Sequence, residues 1–449
     1  MAAPAKATNS QLACKYGKKC YRRNPQHLKD YSHPKEDKSV NDSDLKMGSS
    51  EDIPVQKKQR RTIQDFFSPS DNNRKEAKNP EKSPPSKKLK TDSQETQEAE
   101  VEKDKSMQQD VDDAHEDNED SSAEAPVYLD DVKECIKETF LLEMPDDFYQ
   151  FWDFCKQCNR LDPRSALRKS LKLCLTGPFD ILSGRHNQVT QNKHGRRPNF
   201  LLHQRFYYDP PEFQTVLLSD GDDKFHIGYF RDDPKEGPVF MASNNPRSTS
   251  SSKEKLVQCG DNVFAAVHIH ATQVLKSEKG EKKRGIEQLI QSIEKEAKKL
   301  NLSLASVTKS MKERQKKVNC PTFHGAGMVV PVDDNEVGYR PVPETQKDLK
   351  AMLKRIVEGE TEAKREQASE ALQEIITFIQ FANDECDYGE GLELGLCLFS
   401  YGSKELHPQI SCLLPLAYQL LDRPQFQKII EAHLKCRRGI GESVDELQI

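Results

Sequence analysis

The sequence predicts an α+β protein: a mixed sheet-plus-helix domain and then a mainly helical C-terminal part, preceded by a small Cys/His finger and a disordered linker. Three observations predict it. Phe213 to Leu218 and Phe225 to Phe230 are apolar runs flanking Ser219-Asp220-Gly221-Asp222, a hairpin signal in which the glycine is expected to supply a positive φ. From Thr345 to Arg438 almost every segment repeats apolar residues at helical spacing, which segregates helices from strands along the chain. Ahead of about residue 126, apolar residues are sparse and charges dense.

Composition sets the outer bounds. A length of 449 residues suggests two or three domains. With 35% hydrophobic and 31% charged residues, the whole chain is too polar to fold uniformly, because sparse apolar side chains cannot offset the entropy of ordering a backbone. The net charge of -5 is small against 68 basic and 73 acidic residues, so bulk charge names no partner. No apolar run approaches the roughly eighteen residues of a membrane span, and Met1 to Lys18 has no hydrophobic signal core. The expectation is an intracellular protein with no membrane partner, whose 12 cysteines are thiols or metal ligands rather than a disulfide framework.

Residues 12–34 hold Cys14, Cys20, His27 and His33, spaced C-x5-C-x6-H-x5-H. Two thiolates and two imidazoles are the donors that tetrahedral zinc prefers, and a segment this short needs the metal for its folding energy. Residues 35–125 read as a disordered linker without cysteine. It carries basic clusters at Lys57-Lys58-Gln59-Arg60-Arg61 and Lys87-Lys88-Leu89-Lys90, which suggest nuclear import over a merely solvated tether, and an acidic stretch from Asp110 through Glu124. Its only aromatics are Phe66 and Phe67; with Ile63 they stand at i, i+3, i+4, so one helical turn over 60–67 would gather them into an apolar plug.

Residues 126–282 form the expected α+β part and 283–440 the C-terminal part. Asp130 to Leu142 and Pro145 to Cys158 read as helices, the second with proline and two acids at its start. Leu201 to Phe230 reads as strands, Asn262 to Ala271 as a further apolar strand or helix, and Phe323 to Val332 as a strand. Ile286 to Leu300 is helical, with Ile286, Leu289, Ile290, Ile293 and Ala297 on one face. Phe148, Phe151 and Trp152 stand at helical spacing and read as core. Cys155 and Cys158 form a lone C-x-x-C that reads as packing, and His268 and His270 alternate on an expected strand as ordinary polar positions. His324-Gly325-Ala326-Gly327 lacks the Lys-Ser/Thr of a phosphate loop.

The filling of the finger carries a resemblance. Lys15-Tyr16-Gly17, Cys20-Tyr21-Arg22-Arg23-Asn24-Pro25-Gln26-His27 and Ser32-His33-Pro34 resemble the poly(ADP-ribose)-binding zinc finger. The ligand spacing leaves no room for a groove-reading helix, so sequence-specific DNA binding is not expected. The resemblance implies that Tyr16 and Tyr21 stack on adenine while Arg22 holds a phosphate, roles that suit an aromatic face and a guanidinium fork; the alternative is that the tyrosines only shield the zinc. In the linker, Arg60 to Phe67 resembles the peptide that docks on the replication sliding clamp, with Arg60 where that family has glutamine; docking in some other groove, or no role, are the alternatives.

Three longer segments carry a second resemblance. These are Arg205-Phe206-Tyr207-Tyr208-Asp209-Pro210-Pro211, Thr322-Phe323-His324-Gly325-Ala326-Gly327 continuing to Val337-Gly338-Tyr339-Arg340, and Phe378 to Gly389 with Gly391-Leu392-Glu393-Leu394-Gly395. Over about Leu129 to Gly439 they resemble the histone PARylation factor 1 family. From residues alone, the third segment is odd: an apolar helix ending at Phe381 or Ala382 runs into Asn383-Asp384-Glu385-Cys386-Asp387, placing carboxylates where a helix favours cations. A calcium loop fails on register, since glycine falls at its seventh position. A solvated acidic turn is the plain alternative.

The resemblance implies an accessory factor without turnover of its own. It would complete the active site of a poly(ADP-ribose) polymerase, which alone binds NAD, and direct modification to serine on histones at sites of DNA damage on the chromosome in the nucleus. Glu385 would be the base that takes the seryl proton, with Asp384 beside it orienting or shaping the interface, and Tyr339 and Arg340 would face the polymerase. A non-catalytic reader or scaffold of poly(ADP-ribose) is the alternative function.

Overall fold

The computed structural model describes Leu12–Ala13, Tyr31–Ser32, 130–246, 256–439 and 442–449. Strand β1 (Leu12–Ala13) pairs in parallel with β2 (Tyr31–Ser32), with Ala13 opposite Ser32. The finger residues Cys14, Tyr16, Cys20, Tyr21, Arg22, His27 and His33, the linker, and Ile63, Phe66 and Phe67 lie outside the described residues.

The α+β architecture follows the expected order. Helices α1 (Asp130–Phe140) and α2 (Asp146–Cys158) come first. Short helices α3 (Arg168–Leu171) and α4 (Phe179–Leu182) bracket β3 (Leu173–Leu175). Strands β4 (Phe213–Ser219), β5 (His226–Phe230), β6 (Phe240–Asn244) and β7 (Leu256–Gln258) complete a sheet ordered β3-β4-β5-β6-β7, antiparallel throughout. Helices α5 (Val263–Leu275) and α6 (Gly280–Lys299) close this part. Phe148, Phe151 and Trp152 sit in its core against Phe179 and Phe264. Because Ile286 and Ile293 of α6 belong to the same core, the helix crosses the expected 282/283 boundary and packs backward.

Several local expectations are corrected. Residues 201–212 are turns, with strand geometry beginning only at Phe213. Pro210 and Pro211 cannot donate to a ladder, and the buried Arg205 takes the carbonyls of Leu201, Pro210 and Phe213 instead. In the β4–β5 turn the positive φ falls on Lys224, at 55°, and not on Gly221. The stretch 262–271 is helix: Asn262 caps α5 by accepting from the Ala265 N–H at 2.9 Å, so His268 and His270 are helical, paired with Glu294 and stacked on Phe225. Phe323 to Val332 is not a strand. Only a Cys320–Met328 bridge forms there, because Gly325 and Gly327 turn at φ of 78° and 75° and Arg314 binds the Ala326 and Gly327 carbonyls.

After α7 (Lys309–Lys316), the C-terminal part is helical: α8 (Gln346–Glu358), α9 (Glu362–Asp384), α10 (Gly389–Tyr401), α11 (His407–Leu420) and α12 (Pro424–Lys435). From Gly389 to Ser400, α10 is buried on every side. Gly395 permits this, since a Cβ there would lie 2.5 Å from Leu414 of α11. Tyr418 of α11 donates to the buried Glu212 at 2.9 Å and Arg437, just after α12, to the Tyr207 carbonyl at 2.9 Å, which ties the helical part to the turns that lead into β4. No helix among the described residues is long and apolar enough to cross a membrane.

Candidate functional site

The third resembling segment forms the joint between α9 and α10. Helix α9 runs to Asp384, and Glu385 occupies its C-cap with an N–H bonded to the Phe381 and Ala382 carbonyls. Cys386 then adopts φ 64°, Cys386 N–H donates to the Asn383 carbonyl at 3.1 Å, and Asp387 N–H donates to the Ala382 carbonyl at 2.8 Å. This is the two-bond cap that glycine usually completes, here with a cysteine in the left-handed position. The strained turn places Glu385 on the rim, its side chain 29% exposed, and buries Asp387.

One cation answers the carboxylates gathered there. Arg340 donates through Nη1 to Glu385 at 3.0 Å and through Nε to Glu390 at 2.8 Å, and lies 3.7 Å from Asp387. Its remaining Nη2 is buried without a hydrogen-bond acceptor. The approach of the arginine segment is fixed by backbone: Gly338 N–H donates to Asp387 at 3.0 Å, and Gly389 N–H donates to the Gly338 carbonyl at 2.9 Å. A side chain at Gly338 would meet the Pro331 carbonyl oxygen at 2.1 Å, so only glycine allows this crossing.

Beneath the rim lies a layer that sequence reasoning missed. Glu393 accepts from Tyr339 Oη at 2.9 Å, Val342 N–H at 3.1 Å and Cys320 Sγ at 3.1 Å. Burial pushes the Glu390 carboxyl up to about 7 against the pull of Arg340, and raises Glu393, Tyr339 and Cys320 as well, the last to about 12. For Glu390 and Glu393 alike, burial is the largest cause of the rise. Glu390 and Glu393 in the otherwise apolar α10 follow Asp387, just ahead of it, at every third residue, a signal that could have pointed to them.

The structure joins Arg340 to Glu385. Asp384 is exposed and forms no ion pair among the described residues. Tyr339 turns its hydroxyl inward to Glu393, so its described contacts are internal. A carboxylate on the rim, held by a buried guanidinium and still open to solvent, is a group that can accept a proton from a visiting hydroxyl. Among the described residues no cluster of His, Cys, Asp and Glu could hold a metal ion.

Comparison with known proteins places these features in a family. The profile of the histone PARylation factor 1 family matches residues 131–437, and that of the PBZ domain matches residues 13–36. Histone PARylation factor 1 of Mus musculus is 46% identical over 318 residues, covering 71% of this chain and 89% of that protein. The Bos taurus protein is 47% identical over the same length with the same coverage, and that of Danio rerio 45% identical over 319 residues, covering 71% and 88%. The Arg340–Glu385 pair and the sheet and helices that frame it all fall within the matched span, and by that match the chain belongs to the histone PARylation factor 1 family.

Proposed function

We propose that this protein is a poly(ADP-ribose)-binding accessory factor that completes the active site of a poly(ADP-ribose) polymerase and directs its reaction to serine on histones. The observation that carries the reading is the Arg340–Glu385 pair, within the matched segment and at the protein rim. In the reaction, the polymerase holds NAD and its bond to nicotinamide loosens through an oxocarbenium-like state. The seryl Oγ bonds to the anomeric carbon, nicotinamide leaves with the bonding pair, and Glu385 takes the hydroxyl proton. A serine hydroxyl is a weak nucleophile at neutral pH, so the base is what the polymerase gains from its partner.

Arg340 is the positioning residue: it holds Glu385 on the rim while its Nε anchors on the buried Glu390. Asp384, exposed on the same turn, meets the polymerase or orients a lysine-flanked histone serine. Tyr339 supports that surface from beneath. At the other end of the chain, Cys14, Cys20, His27 and His33 hold zinc, and Tyr16, Tyr21 and Arg22 grip the polymer. Two thiolates and two imidazoles form a closed set suited to structural zinc, and β1 and β2 pair the residues preceding Cys14 and His33. Action at damaged chromatin in the nucleus follows from these partners and from the linker's basic clusters. A contact of Ile63, Phe66 and Phe67 with the sliding clamp rests on their spacing and is tested with a labelled peptide of 56–72.

The deciding experiment combines polymerase, DNA ends, NAD and a histone peptide, with and without this protein. Serine-linked product that requires the protein and is lost with Glu385→Gln supports the reading. Full product with Glu385→Gln leaves only the scaffold reading, in which the finger recruits an inert globular domain.

A further inference from the structure

We propose that a cleft between α12 and the loop of residues 192–198 binds the pyrophosphate of an ADP-ribose unit, a second anion site outside the finger and the Glu385 corner. The cleft is open to solvent and has a volume of about 410 Å³, within the roughly 300–1,000 Å³ of small-ligand sites. Arg196, Arg197, Lys428 and Lys435 line it against a single carboxylate, Glu431.

Both walls are built. On α12, Lys428, Glu431, Ala432 and Lys435 stand at i, i+3, i+4 and i+7, one helical face. On the loop, Asn192 Oδ1 accepts from the His194 and Arg196 N–H groups, and Gly195 turns at φ 70°. The buried Glu446 fixes this loop by accepting from Asn192 Nδ2 at 2.8 Å and Asn199 N–H at 3.0 Å. Arg196 is partly committed to Glu446, at 3.6 Å. Arg197, Lys428 and Lys435 form no ion pair among the described residues. Like charges facing one cleft repel each other, and an anion between them removes that cost.

The shape selects the anion. A duplex needs a long basic face to lie along, whereas these four cations line the two walls of one short concavity. No aromatic side chain lines the cleft, so recognition falls on phosphate rather than base. Glu431, bonded to Gln427, keeps acceptor capacity for a ribose hydroxyl and disfavours a ligand that is phosphate throughout.

The test uses the full chain carrying Tyr21→Ala and Arg22→Ala, which weakens the finger, titrated calorimetrically with ADP-ribose, inorganic pyrophosphate, adenosine and a short DNA duplex. No polymerase is present, so the result is independent of the role of Glu385. Saturable binding of ADP-ribose, displaced by pyrophosphate and not by adenosine, and weakened about tenfold or more by Arg197→Ala with Lys428→Ala, is expected. Unchanged binding in that variant, no saturable binding at all, or binding of duplex alone overturns the proposal. Lys435→Gln, on an exposed position of the same face, gives a milder loss should the double variant lower the melting temperature.

Discussion

Arg340 Nη1 donates to Glu385 Oε2 at 3.0 Å, joining residues 45 positions apart across the joint between α9 and α10. The same guanidinium binds Glu390, so the rim carboxylate and the buried one share a cation. What happens at the rim is thereby tied to the state of the layer below.

Removing the rim charge separates chemistry from folding. Glu385 is partly solvated, and a glutamine there keeps shape and an acceptor for Arg340. Glu385→Gln is expected to lower serine modification by about 10²–10⁴-fold while melting temperature and polymerase binding stay near those of the parent. Single-turnover modification of a histone peptide, beside a binding isotherm for the complex, measures both.

Removing the cation mixes the two. Arg340 is 12% exposed and its partner Glu390 only 2%, so Arg340→Ala strands a buried carboxylate. Breaking such a pair costs about 3–5 kcal/mol, less whatever Glu390 recovers by taking up a proton. A lower melting temperature should therefore accompany weaker polymerase binding. Arg340→Lys restores charge but cannot fork to both glutamates, and is expected to recover stability better than activity. Denaturant melts and the peptide assay, run on both variants, test this split.

The pH dependence of stability follows from Glu390. Its carboxyl holds a proton up to about pH 7 in the folded protein, against an ordinary value of 4.5. A raised folded value gives a contribution that is full below about 4.5 and is lost as pH rises through 7. Glu390→Gln cannot ionise, so its melting temperature should gain on the parent between pH 5 and 8. An unchanged difference across that range would show that Glu390 is already ionised at pH 5.

How much of this was legible in the sequence depended on the distance over which each feature is decided. Helices α1 and α2 were placed to within about two residues because their ends are set locally, by acids and proline at the start of α2 and by apolar spacing. His268 and His270 misled because an apolar-polar alternation of a few residues fits a strand as well as one face of a helix, and the Asn262 cap decides between them. Phe323 to Val332 has the apolar content of a strand, but two left-handed glycines and Arg314 claim its backbone. Strands β6 and β7 are short and passed unread. Glu385 was found through a resemblance, whereas Glu390 and Glu393 were given no role, since they stand in a helix whose complete burial only the tertiary packing reveals.

The crossing of the Gly338 and Gly389 backbones gives a steric prediction. A Cβ at Gly389 would lie 2.8 Å from Tyr339 Cδ2, 2.8 Å from Val330 Cγ2 and 3.0 Å from the Gly338 carbonyl oxygen. Side chains can yield a few tenths of an ångström, so Gly389→Ala should fold with a loss of about 1–3 kcal/mol. The displaced ring would draw Tyr339 off Glu393 and shift Arg340, its neighbour in the chain. Polymerase affinity should fall further than stability predicts, although no charge has changed. Gly338→Ala, facing the Pro331 carbonyl at 2.1 Å from a φ of 129°, should fail to fold, and expression yield with thermal melts separates the pair.

The finger supplies an independent test, because the side chains proposed to hold its metal and those proposed to grip the polymer are different ones. Zinc binding by Cys14, Cys20, His27 and His33 should survive Tyr21→Ala with Arg22→Ala, since neither residue is a ligand. Polymer binding should not survive undiminished: stacking on one aromatic ring is worth about 1–3 kcal/mol per base, and a lost guanidinium–phosphate contact adds to that. His33→Ala should lose zinc and polymer together, because a segment this short needs its metal for folding energy. Zinc stoichiometry by atomic absorption and retention on immobilised poly(ADP-ribose) give the two readouts. If the tyrosines only shield the metal, Tyr21→Ala would release zinc and polymer in parallel, and the assignment of Tyr16, Tyr21 and Arg22 to the polymer would fail.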